Sequence, residues 1–420
     1  MKRYLVTLMI VFVFGAVAGP AQDLALKGGT ILTISHGAVE NGTVLIQKGK
    51  ITACGRDVPI PSGIEVIDVT GMYVMPGVID SHSHIGFDME DVNEATDPVT
   101  PQVWMKDALD PYSDSILKTL AGGVTTVKTM HGSANVIGGV NVTIKLKYGS
   151  AVEEMIVPVR QQLKLALGEN PKRFYGGKGV LPSTRMGSAH ILRKAFTEAK
   201  EYKERWDRYE KEKAAGNAKA MAPKKDLAME TLTMVLDKTL TADCHAYRAD
   251  EIVWLIKFCQ EFGIDLKQIS HCIDGYKVAD IMARAGVTFG GWVDWWGFKE
   301  EAYDGCPFGF KIMHDAGVNI VINSDSADEG RYLFRNAAKV LKYNDLGEED
   351  VLKMITLNPA KSLEMEDRAG TIDIGKDGDL AVFDKHPLDS TAKCRLTIIE
   401  GKVFYDYARD SVTAKGDIHE

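Results

Sequence analysis

The sequence predicts an α/β fold, in which a (β/α)8 barrel of the TIM type carries a small β-sandwich formed by both ends of the chain. Between about residues 76 and 369, short apolar runs alternate with helical patterns, which is typical of a parallel α/β domain. Residues 22–75 and 370–420 instead show short alternating segments punctuated by glycine, the pattern of antiparallel strands. Polar side chains of the metal-binding type follow several apolar runs, where a barrel has its active site.

The bulk composition describes a globular protein with ample material for a core. Of its 420 residues, 45% are hydrophobic and 26% are charged, close to average globular usage. The net charge of −8, without a basic stripe, argues against a nucleic-acid-binding protein. The six cysteines include no C-x-x-C pair and do not resemble a disulfide framework, so buried free thiols are expected.

Residues 1–21, MKRYLVTLMIVFVFGAVAGPA, differ from the rest of the chain. Two cations precede an apolar run that ends in small residues, the arrangement of a secretory signal peptide, with cleavage after Ala18 or Ala21. The run is too short to span a bilayer comfortably, and no other segment is long and apolar enough to do so. The sequence therefore predicts an exported protein, periplasmic or secreted, with a retained N-terminal anchor as the alternative.

Eight apolar runs within residues 76–369 are candidate barrel strands. Eight strands with intervening helices in a segment of about 290 residues fit a (β/α)8 barrel with insertions. The third and fourth runs carry the weakest pattern. In chain order the runs are VIDSHSH, GVTTVKTM, NVTIKLK, QQLKLALG, TADCHA, KQISHC, GVTFGGW and NIVINSD.

One insertion is visible as a charged helical segment, residues 196–213. Its apolar positions recur every three to four residues, which predicts one long helix with a single aromatic stripe. The charges on its other faces are explained most simply as a solvated surface, and a role in covering the active site is the alternative. The positions of the stripe are Ala199, Tyr202, Trp206 and Tyr209.

Two histidines one residue apart, His82 and His84, follow the apolar run in the stretch GVIDSHSHIGFD. In an extended strand, residues i and i+2 lie on one face about 7 Å apart, so both rings can reach one ion. A strand end with two solvated histidines is the alternative for an isolated pair. His245, His271 and Asp325 also close candidate strands. The five residues together are a ligand set for a Zn²⁺-like ion or a pair of ions.

At these residues the chain resembles the amidohydrolase superfamily, in particular its imidazolonepropionase-like exported branch. The resemblance covers nearly all of the chain and implies a distorted (β/α)8 barrel, one or two divalent ions and hydrolysis at a carbon–heteroatom bond. Matched by motif, His82 and His84 would bind the more buried ion, which Asp325 would touch. His245 and His271 would bind the other ion. The motifs are VMPGVIDSHSHIG, NEATDPVTP, GSANVIGG, LGENPKR, HAYRADEI, the Asp325 strand and TLNPAKSLEMEDRAGTIDIGKDGDLAVFD.

The resemblance also implies a bridging anion in a two-ion site, either a carbamylated lysine or a glutamate on the third or fourth strand. In QQLKLALGENPKR, alternation places Leu163 and Leu165 on one face and Lys164 on the other. Packing the leucines on helices points Lys164 inward, where an unpaired ammonium is costly and a carbamate between two cations is not. We favour Lys164 as the bridge. Glu169 is the rival, and a surface Lys164 with Glu169 capping a loop is the third alternative.

The predicted chemistry follows from these parts. A divalent ion lowers the pKa of a bound water molecule toward about 7 and polarises a substrate carbonyl. Asp325 would act as general base during attack and then as general acid toward the leaving amine. Zinc, as one or two ions, is the default on ligand type, although Mn²⁺ or Fe²⁺ would accept the same set.

Three further residues are candidate contacts of a small-molecule substrate. Arg185 and Arg248 adjoin the catalytic segments, and a guanidinium matches the carboxylate of a peptide-like or acylated amino acid. A structural salt bridge is the alternative for each arginine. His131 ends another candidate strand and could contact substrate, although the family's motif often has no histidine there.

The leading prediction is an exported metal-dependent hydrolase of a C–N bond in a dipeptide, an N-acyl amino acid or a cyclic amide. A lactone or ester hydrolase, or a deaminase, would use the same strand-end residues, because loops select the bond that is cleaved. A non-catalytic relative that binds partners through the barrel surface would have lost ligands, and every candidate ligand is present. The sequence leaves the oligomeric state open, a homo-oligomer included.

Overall fold

The computed structural model describes residues 23–295, 297–326 and 328–411. The predicted signal peptide, residues 1–21, lies outside the described residues. In chain order the strands are β1 (Leu24–Leu32), β2 (Ala38–Gln47), β3 (Lys50–Gly55), β4 (Glu65–Asp68), β5 (Tyr73–Pro76), β6 (Val78–Ser83), β7 (Val124–Thr129), β8 (Ile137–Val140), β9 (Val142–Lys145), β10 (Gln162–Ala166), β11 (Thr241–Ala246), β12 (Leu266–His271), β13 (Thr288–Gly291), β14 (Ile320–Ile322), β15 (Leu380–Phe383), β16 (Cys394–Ile399) and β17 (Lys402–Asp406).

Helices separate most of the central strands. None of the described helices combines the length and the apolar character that a membrane span requires. In chain order the α-helices are α1 (Asp114–Leu120), α2 (Val152–Met155), α3 (Glu169–Gly176), α4 (Arg185–Ala214), α5 (Leu227–Leu236), α6 (Ala249–Phe262), α7 (Ala279–Ala285), α8 (Gly309–Asp315), α9 (Leu333–Tyr343), α10 (Glu348–Lys353), α11 (Leu357–Ser362) and α12 (Tyr407–Asp410).

The two ends of the chain pair in one eight-stranded sheet. Its order is β17-β16-β15-β5-β1-β2-β3, with β4 also paired to β1. The N-terminal and C-terminal segments meet where β15 runs antiparallel to β5, with Leu380 opposite Pro76. The sheet has its own apolar core, in which Leu24, Ile46 and Val382 are buried. The predicted pairing of the end segments is therefore confirmed, and the sandwich form stays a prediction.

All eight predicted central strands are present, in two sheets. The first has the order β14-β13-β12-β11-β10-β8, in which β10 to β14 run parallel. The second has the order β6-β7-β9, in which β6 and β7 run parallel. An α/β fold with mixed sheets results.

The parallel arrangement predicted for the third run, NVTIKLK, is wrong for that strand. β9 pairs antiparallel with β7, with Lys145 opposite Thr126, and the preceding β8 pairs antiparallel with β10. A parallel crossover needs about a dozen residues or more, whereas Thr129 and Ile137 are joined by a short segment without a helix. The chain can therefore only turn back along its neighbour.

Helix α6 shows how the sequence forms a crossover between parallel strands. Its buried side chains recur at helical spacing, so one face packs toward β12. The helix ends at Gly263, whose φ of +73° is a left-handed conformation that costs glycine little because it has no Cβ. The buried positions include Ile252, Leu255, Ile256 and Cys259.

The charged segment predicted as one helix lies within α4, which confirms that prediction. Ala199 and Tyr202 are buried, and the Tyr202 hydroxyl accepts a hydrogen bond from the backbone N–H of Asp226 at 3.3 Å, just before α5. Thr184 caps the first turn of α4 by accepting from the Gly187 N–H at 3.1 Å.

A buried ion cluster joins the end sheet to the central strands. The Nζ of Lys145, at the end of β9, lies 2.7 Å from Asp377, 3.0 Å from Asp379 and 2.8 Å from Glu400. Burial alone would lower the pKa of Lys145, but these three carboxylates raise it above its ordinary value. The lysine is therefore charged and paired at the junction.

Candidate metal centre

The histidine pair lies at the end of strand β6, and both rings face Asp325, three residues after the end of β14. His82 is fully buried, and its Nε2 lies 2.8 Å from Oδ1 of Asp325. The Nε2 of His84 lies 3.3 Å from the same oxygen, while its Nδ1 lies 2.9 Å from the carbonyl oxygen of Met130. Because a carbonyl only accepts, Nδ1 of His84 donates this bond, and Nε2 is the nitrogen that faces the centre. Metal-binding imidazoles are commonly held in this way.

Two more histidines reach the same place from neighbouring parallel strands. His245 is on β11 and His271 ends β12, and their ring centroids lie 4.3 Å apart. The His271 ring is also 4.9 Å from that of His82. One ligand atom each from His82, His271 and Asp325 lies within 4.8 Å of the other two. The structure therefore gathers the five residues that the sequence selected.

The backbone is strained at two of these strand ends. His271 has a φ of +72°, Cys272 a φ of +47° and Asp325 a φ of +55°, although side chains other than glycine rarely adopt this region. The Asp325 N–H donates to the carbonyl oxygen of His82 at 3.0 Å, which holds the turn in place. Such strain persists where the surrounding structure enforces it, and it is concentrated at functional sites.

The charge state of the cluster suits a cation. Burial lowers the pKa of His82 to about 3 and those of His245 and His271 well below their ordinary value, and the nearby Lys164 ammonium adds to the effect at each ring. Desolvation alone would raise the pKa of Asp325, but the neighbouring imidazoles hold it well below its usual range. Neutral, buried imidazoles therefore lie beside an ionised carboxylate.

The unpaired nitrogen atoms provide a test of whether a metal fits. Within the described protein, neither ring nitrogen of His245, nor Nδ1 of His271, has a hydrogen-bond partner. Buried polar atoms are nearly always paired, since leaving them unpaired is costly. A neutral imidazole carries one lone pair, which a divalent ion would satisfy, and histidine nitrogens with a carboxylate oxygen are ligands that zinc accepts. The residues present therefore fit such an ion.

The two candidate bridges differ in their surroundings. Lys164, on β10, is 1% exposed, and its Nζ lies 3.0 Å from the Met130 sulfur, with no ion-pair partner among the described residues. Glu169 begins α3, and its Oε2 lies 3.0 Å from Nη2 of Arg173. Its backbone N–H donates to Glu301 at 2.8 Å. Lys164 is thus a buried cation beside the histidines, whereas the Glu169 carboxylate already has a counterion.

The candidate substrate contacts lie outside this cluster and have protein partners. Both ring nitrogens of His131 are bonded to backbone, because Nε2 accepts from the Glu94 N–H and Nδ1 donates to the carbonyl oxygen of Gly132, each at 2.9 Å. Burial lowers the pKa of His131 to about 4, which keeps the ring neutral. A substrate role of His131 stays a prediction, and it would require one of these bonds to break.

The two arginines line a polar cavity of about 520 Å³ near the same strand ends. Arg185, at the start of α4, lies 3.2 Å from Glu251 and 2.6 Å from Glu301. Arg248 pairs with Asp250, two residues along the chain, at 2.9 Å, and its side chain is about half exposed. Their predicted contacts with substrate stay predictions.

An aromatic wall beside His271, formed by Tyr247, Trp292, Trp295 and Phe298, was missed by the sequence analysis. The Tyr247 ring stacks on His271 with centroids 5.1 Å apart, and the Trp292 centroid lies 4.3 Å from that of His271. Trp295 stacks on Trp292 at 4.8 Å, and Phe298 meets Trp292 edge-on. The signal was present in the stretch GGWVDWWGFKE, whose aromatic residues follow a predicted strand.

A buried acid, also missed, aligns the two strands that carry His82 and Asp325. The carboxylate of Asp80 accepts hydrogen bonds from the Ser324 hydroxyl at 2.5 Å and from the His82 N–H at 3.2 Å. Burial raises the pKa of Asp80 to about 6. Asp80 thereby holds the carboxyl ends of β6 and β14 next to each other.

Comparison with known proteins gives matches over most of the chain. The amidohydrolase family profile matches residues 73–413. The chain is 30% identical over 396 residues to the amidohydrolase tasK of Hapsidospora irregularis, covering 87% of this chain and 40% of that protein, so it spans less than half of that relative's length. It is 23% identical over 367 residues to the imidazolonepropionase of Thermoplasma volcanium, covering 82% and 84% of the two chains.

A solved structure matches more closely. The crystal structure of an amidohydrolase from Thermotoga maritima MSB8 superposes with a TM-score of 0.83 at 36% sequence identity. The match covers 91% of this chain and 100% of that one. The similarity thus extends through both the central strands and the end sheet.

Proposed function

This chain belongs to the amidohydrolase family, and from that premise we propose that it hydrolyses a C–N bond of a small amide or peptide-like substrate at a divalent metal centre. It is an imidazolonepropionase-like member, and a hydrolase acting on C–N bonds. The observation that carries the proposed mechanism is the approach of His82, His271 and Asp325, whose ligand atoms lie within 4.8 Å of one another.

We infer that the two central sheets close into one distorted barrel. The β8–β9 segment pairs with β10 on one side and β7 on the other, which joins the sheets at one edge. At the other edge, the Asp325 N–H donates to the His82 carbonyl and Asp80 accepts from Ser324. A closed barrel directs the carboxyl ends of its strands at one point, which agrees with the gathering of the histidines.

The residues have distinct roles in this proposal. His82, His84, His245 and His271 would hold one or two ions, with Asp325 as a further ligand and the Lys164 carbamate as the favoured bridge. When bound, a divalent ion supplies a Lewis acid that lowers the pKa of water and polarises an amide carbonyl. Zinc suits the ligand types, and Mn²⁺ or Fe²⁺ are the alternatives.

Asp325 is the proposed general base and acid. Its Oδ1 faces His82 and His84, which leaves Oδ2 to take the proton that water loses as its oxygen attacks the amide carbon. The same oxygen then returns the proton to the departing nitrogen as the C–N bond breaks. The products are a carboxylic acid and an amine, so one water molecule balances the reaction.

Export of the protein is part of the proposal and rests on residues 1–21 of the sequence alone. If the segment is a cleaved signal peptide, expression of the full chain yields a protein whose N-terminus follows Ala18 or Ala21. N-terminal sequencing of the purified protein reads this directly. An intact N-terminal methionine on a membrane-bound protein would indicate the anchor instead.

A substrate panel tests the reaction. The purified protein, with one set of samples stripped of metal and one supplied with zinc, is incubated with dipeptides, N-acyl amino acids and cyclic amides. We expect release of an amine from at least one class, dependent on zinc and abolished in Asp325→Asn. Release of ammonia alone would indicate a deaminase, and cleavage confined to lactones or esters would indicate the second alternative. No turnover of any class by the zinc-loaded protein would contradict the proposal.

A further inference from the structure

Lys299 places a cation one aromatic ring away from a candidate metal ligand. It follows β13 in the loop that carries Trp292, Trp295 and Phe298 of the aromatic wall, and its side chain is only 13% exposed. Its Nζ lies 3.9 Å from the centroid of the Tyr247 ring. That ring in turn stacks on His271 with centroids 5.1 Å apart. These two distances added together are the upper limit of the separation between the ammonium and the centroid of the His271 ring.

The reach of an amino-acid carboxylate falls within this upper limit. In a dipeptide or N-acyl amino acid, the terminal carboxylate lies about one residue length, ~3.8 Å, from the carbonyl group that is cleaved. A charge-assisted N–H···O contact adds about 2.8 Å. A substrate whose amide carbonyl sits at the histidine cluster therefore extends its carboxylate over a distance of the same order as that to Lys299.

The partners of Lys299 leave its charge only partly compensated. Its Nζ donates to the neutral amide oxygen of Asn170 at 3.0 Å. The nearest carboxylate, that of Glu301, lies 3.4 Å away and is shared with Arg185 at 2.6 Å and with the Glu169 N–H at 2.8 Å. Arg185 has a second carboxylate partner, Glu251. The Lys299 ammonium thus has a neutral amide and one shared carboxylate as its partners.

The aromatic wall strengthens this interaction and restricts what can lie beside it. Tyr247 is 2% and Trp292 7% exposed, so the lysine lies against a low-dielectric surface where a charge pair is stronger than in water. Phe298, by contrast, is 54% exposed and leaves an apolar face open at the edge of the wall. The group next to the carboxylate would therefore be apolar.

We propose that the Lys299 ammonium binds the terminal carboxylate of the substrate and so selects N-acyl amino acids or dipeptides with an apolar C-terminal residue. This inference rests on the proposed C–N hydrolysis. It assigns substrate specificity to a residue that lies in the loop after β13 and not at a strand end. Lys299 has no part in the proton transfer, so its loss acts on substrate affinity.

The test compares each substrate with its C-terminal amide, which has the same shape but no negative charge. The best member of the substrate panel is assayed in both forms with wild type, Lys299→Met and Lys299→Arg, after equal metal content and equal circular dichroism spectra are verified. Lys277→Met is the matched control, since it also removes a cation near these loops but one already paired with Asp274 at 2.9 Å.

The proposal predicts a defect in KM for the free acid. Removal of one partner of a desolvated charge pair costs roughly 30-fold or more, so Lys299→Met loses about this factor in kcat/KM for the acid, with kcat little changed. Turnover of the amide stays within about threefold, and Lys299→Arg recovers part of the loss. Lys277→Met keeps the wild-type preference for the acid. A Lys299→Met enzyme that still prefers the acid as strongly as wild type would overturn the proposal.

A binding measurement separates this inference from the reaction. N-acetyl-phenylalanine and N-acetyl-phenylalaninamide are titrated into the zinc-loaded wild type and Lys299→Met by calorimetry. The inference predicts that wild type binds the acid at least tenfold more tightly than the amide and that Lys299→Met does not distinguish them. Equal affinity of wild type for both would overturn the inference. Absence of turnover alongside a Lys299-dependent preference would contradict only the proposed reaction.

Discussion

Nε2 of His82 lies 2.8 Å from Oδ1 of Asp325, although the two residues come from the first and last of the eight central strands. The contact depends on the backbone bond from the Asp325 N–H to the His82 carbonyl and on the left-handed conformation of Asp325. Together these features bring a carboxylate to an imidazole at the centre of the histidine cluster. The predictions below test what this arrangement does.

Asp325→Asn removes the proposed proton acceptor with little change in shape. We expect kcat to fall by about 10²- to 10⁴-fold, the range for loss of general acid–base catalysis, with KM within a few-fold of wild type. Steady-state kinetics on zinc-loaded protein measures this, with metal content determined on the same samples because Asp325 also faces the ligands. Asp328→Asn is the control, since it makes the same change at an exposed neighbouring residue and keeps wild-type rates. Equal rates for the two variants would refute the role of Asp325.

The bridge is tested by a pair of substitutions, Lys164→Met and Glu169→Gln. If the Lys164 carbamate links two ions, the methionine variant loses at least about 10- to 100-fold in metal affinity, because the site then lacks its bridging anion. Added acetate recovers part of the loss by supplying a carboxylate. Glu169→Gln keeps metal, since that carboxylate pairs with Arg173. The opposite result, loss of metal only in Glu169→Gln, would make the glutamate the bridge.

Lys145→Met tests the junction between the end sheet and the central strands. The substitution leaves the buried carboxylates of Asp377 and Asp379 without this cation, so we expect the free energy of unfolding to fall by roughly 3–5 kcal/mol. Urea titration measures it. Lys147→Met is the matched control, because its side chain is 17% exposed, against 3% for Lys145, and pairs with Glu400 at 2.7 Å. A pair nearer to solvent contributes less, down to about 1 kcal/mol or less at the surface. Comparable losses in the two variants would contradict a special role for the junction.

The raised pKa of Glu251 makes the stability of the protein depend on pH. Burial raises its pKa to about 7; Glu301 and Asp250 reinforce the shift, and Arg185 and Arg248 oppose it. Between its ordinary value of 4.5 and about 7, the unfolded chain has lost this proton while the folded protein keeps it. The free energy of unfolding therefore falls as the pH rises through this window, by up to about 3 kcal/mol.

Glu251→Gln removes that contribution. Urea titrations of wild type and variant from pH 4 to pH 8.5 give the difference between their free energies of unfolding. As the pH rises from about 4.5 to 7, we expect the free energy of unfolding of the variant to rise relative to that of wild type. Above pH 7 we expect the difference between the two free energies to stay constant. A difference that does not change with pH would contradict the raised pKa.

The strands, and the gathering of four histidines and Asp325 at their ends, could be predicted because each of these features depends on local sequence. Each apolar run predicts a strand from its own residues. The position of a polar residue at the end of such a run, as for His245 and His271, then follows from the strand that precedes it. The direction of β9 could not be read from its own residues. It follows from the short connection after Thr129, which rules out a parallel crossover.

Features that depend on contacts between distant loops were not predictable. The partners of Arg185 are Glu251, in the first turn of α6, and Glu301, in the segment after β13, so the sequence alone could not show that its guanidinium is already bound. The position of Lys299 could not be predicted, because it lies several residues beyond the end of β13. The alternation of side chains along a strand does not determine where a side chain in such a loop points. Its contacts are with Tyr247 and Asn170, two residues that are distant in the sequence.

The central claim is that the histidine cluster holds metal, and elemental analysis of the purified protein tests it most directly. After growth with added zinc, we expect one to two equivalents of divalent metal per chain in wild type, and strongly reduced metal in a folded His82→Ala, His84→Ala double variant. About two equivalents would support the bridged pair of ions, and about one would favour a single-ion site without the Lys164 carbamate. Wild-type protein that holds no metal, even after zinc is supplied during purification, would contradict the account.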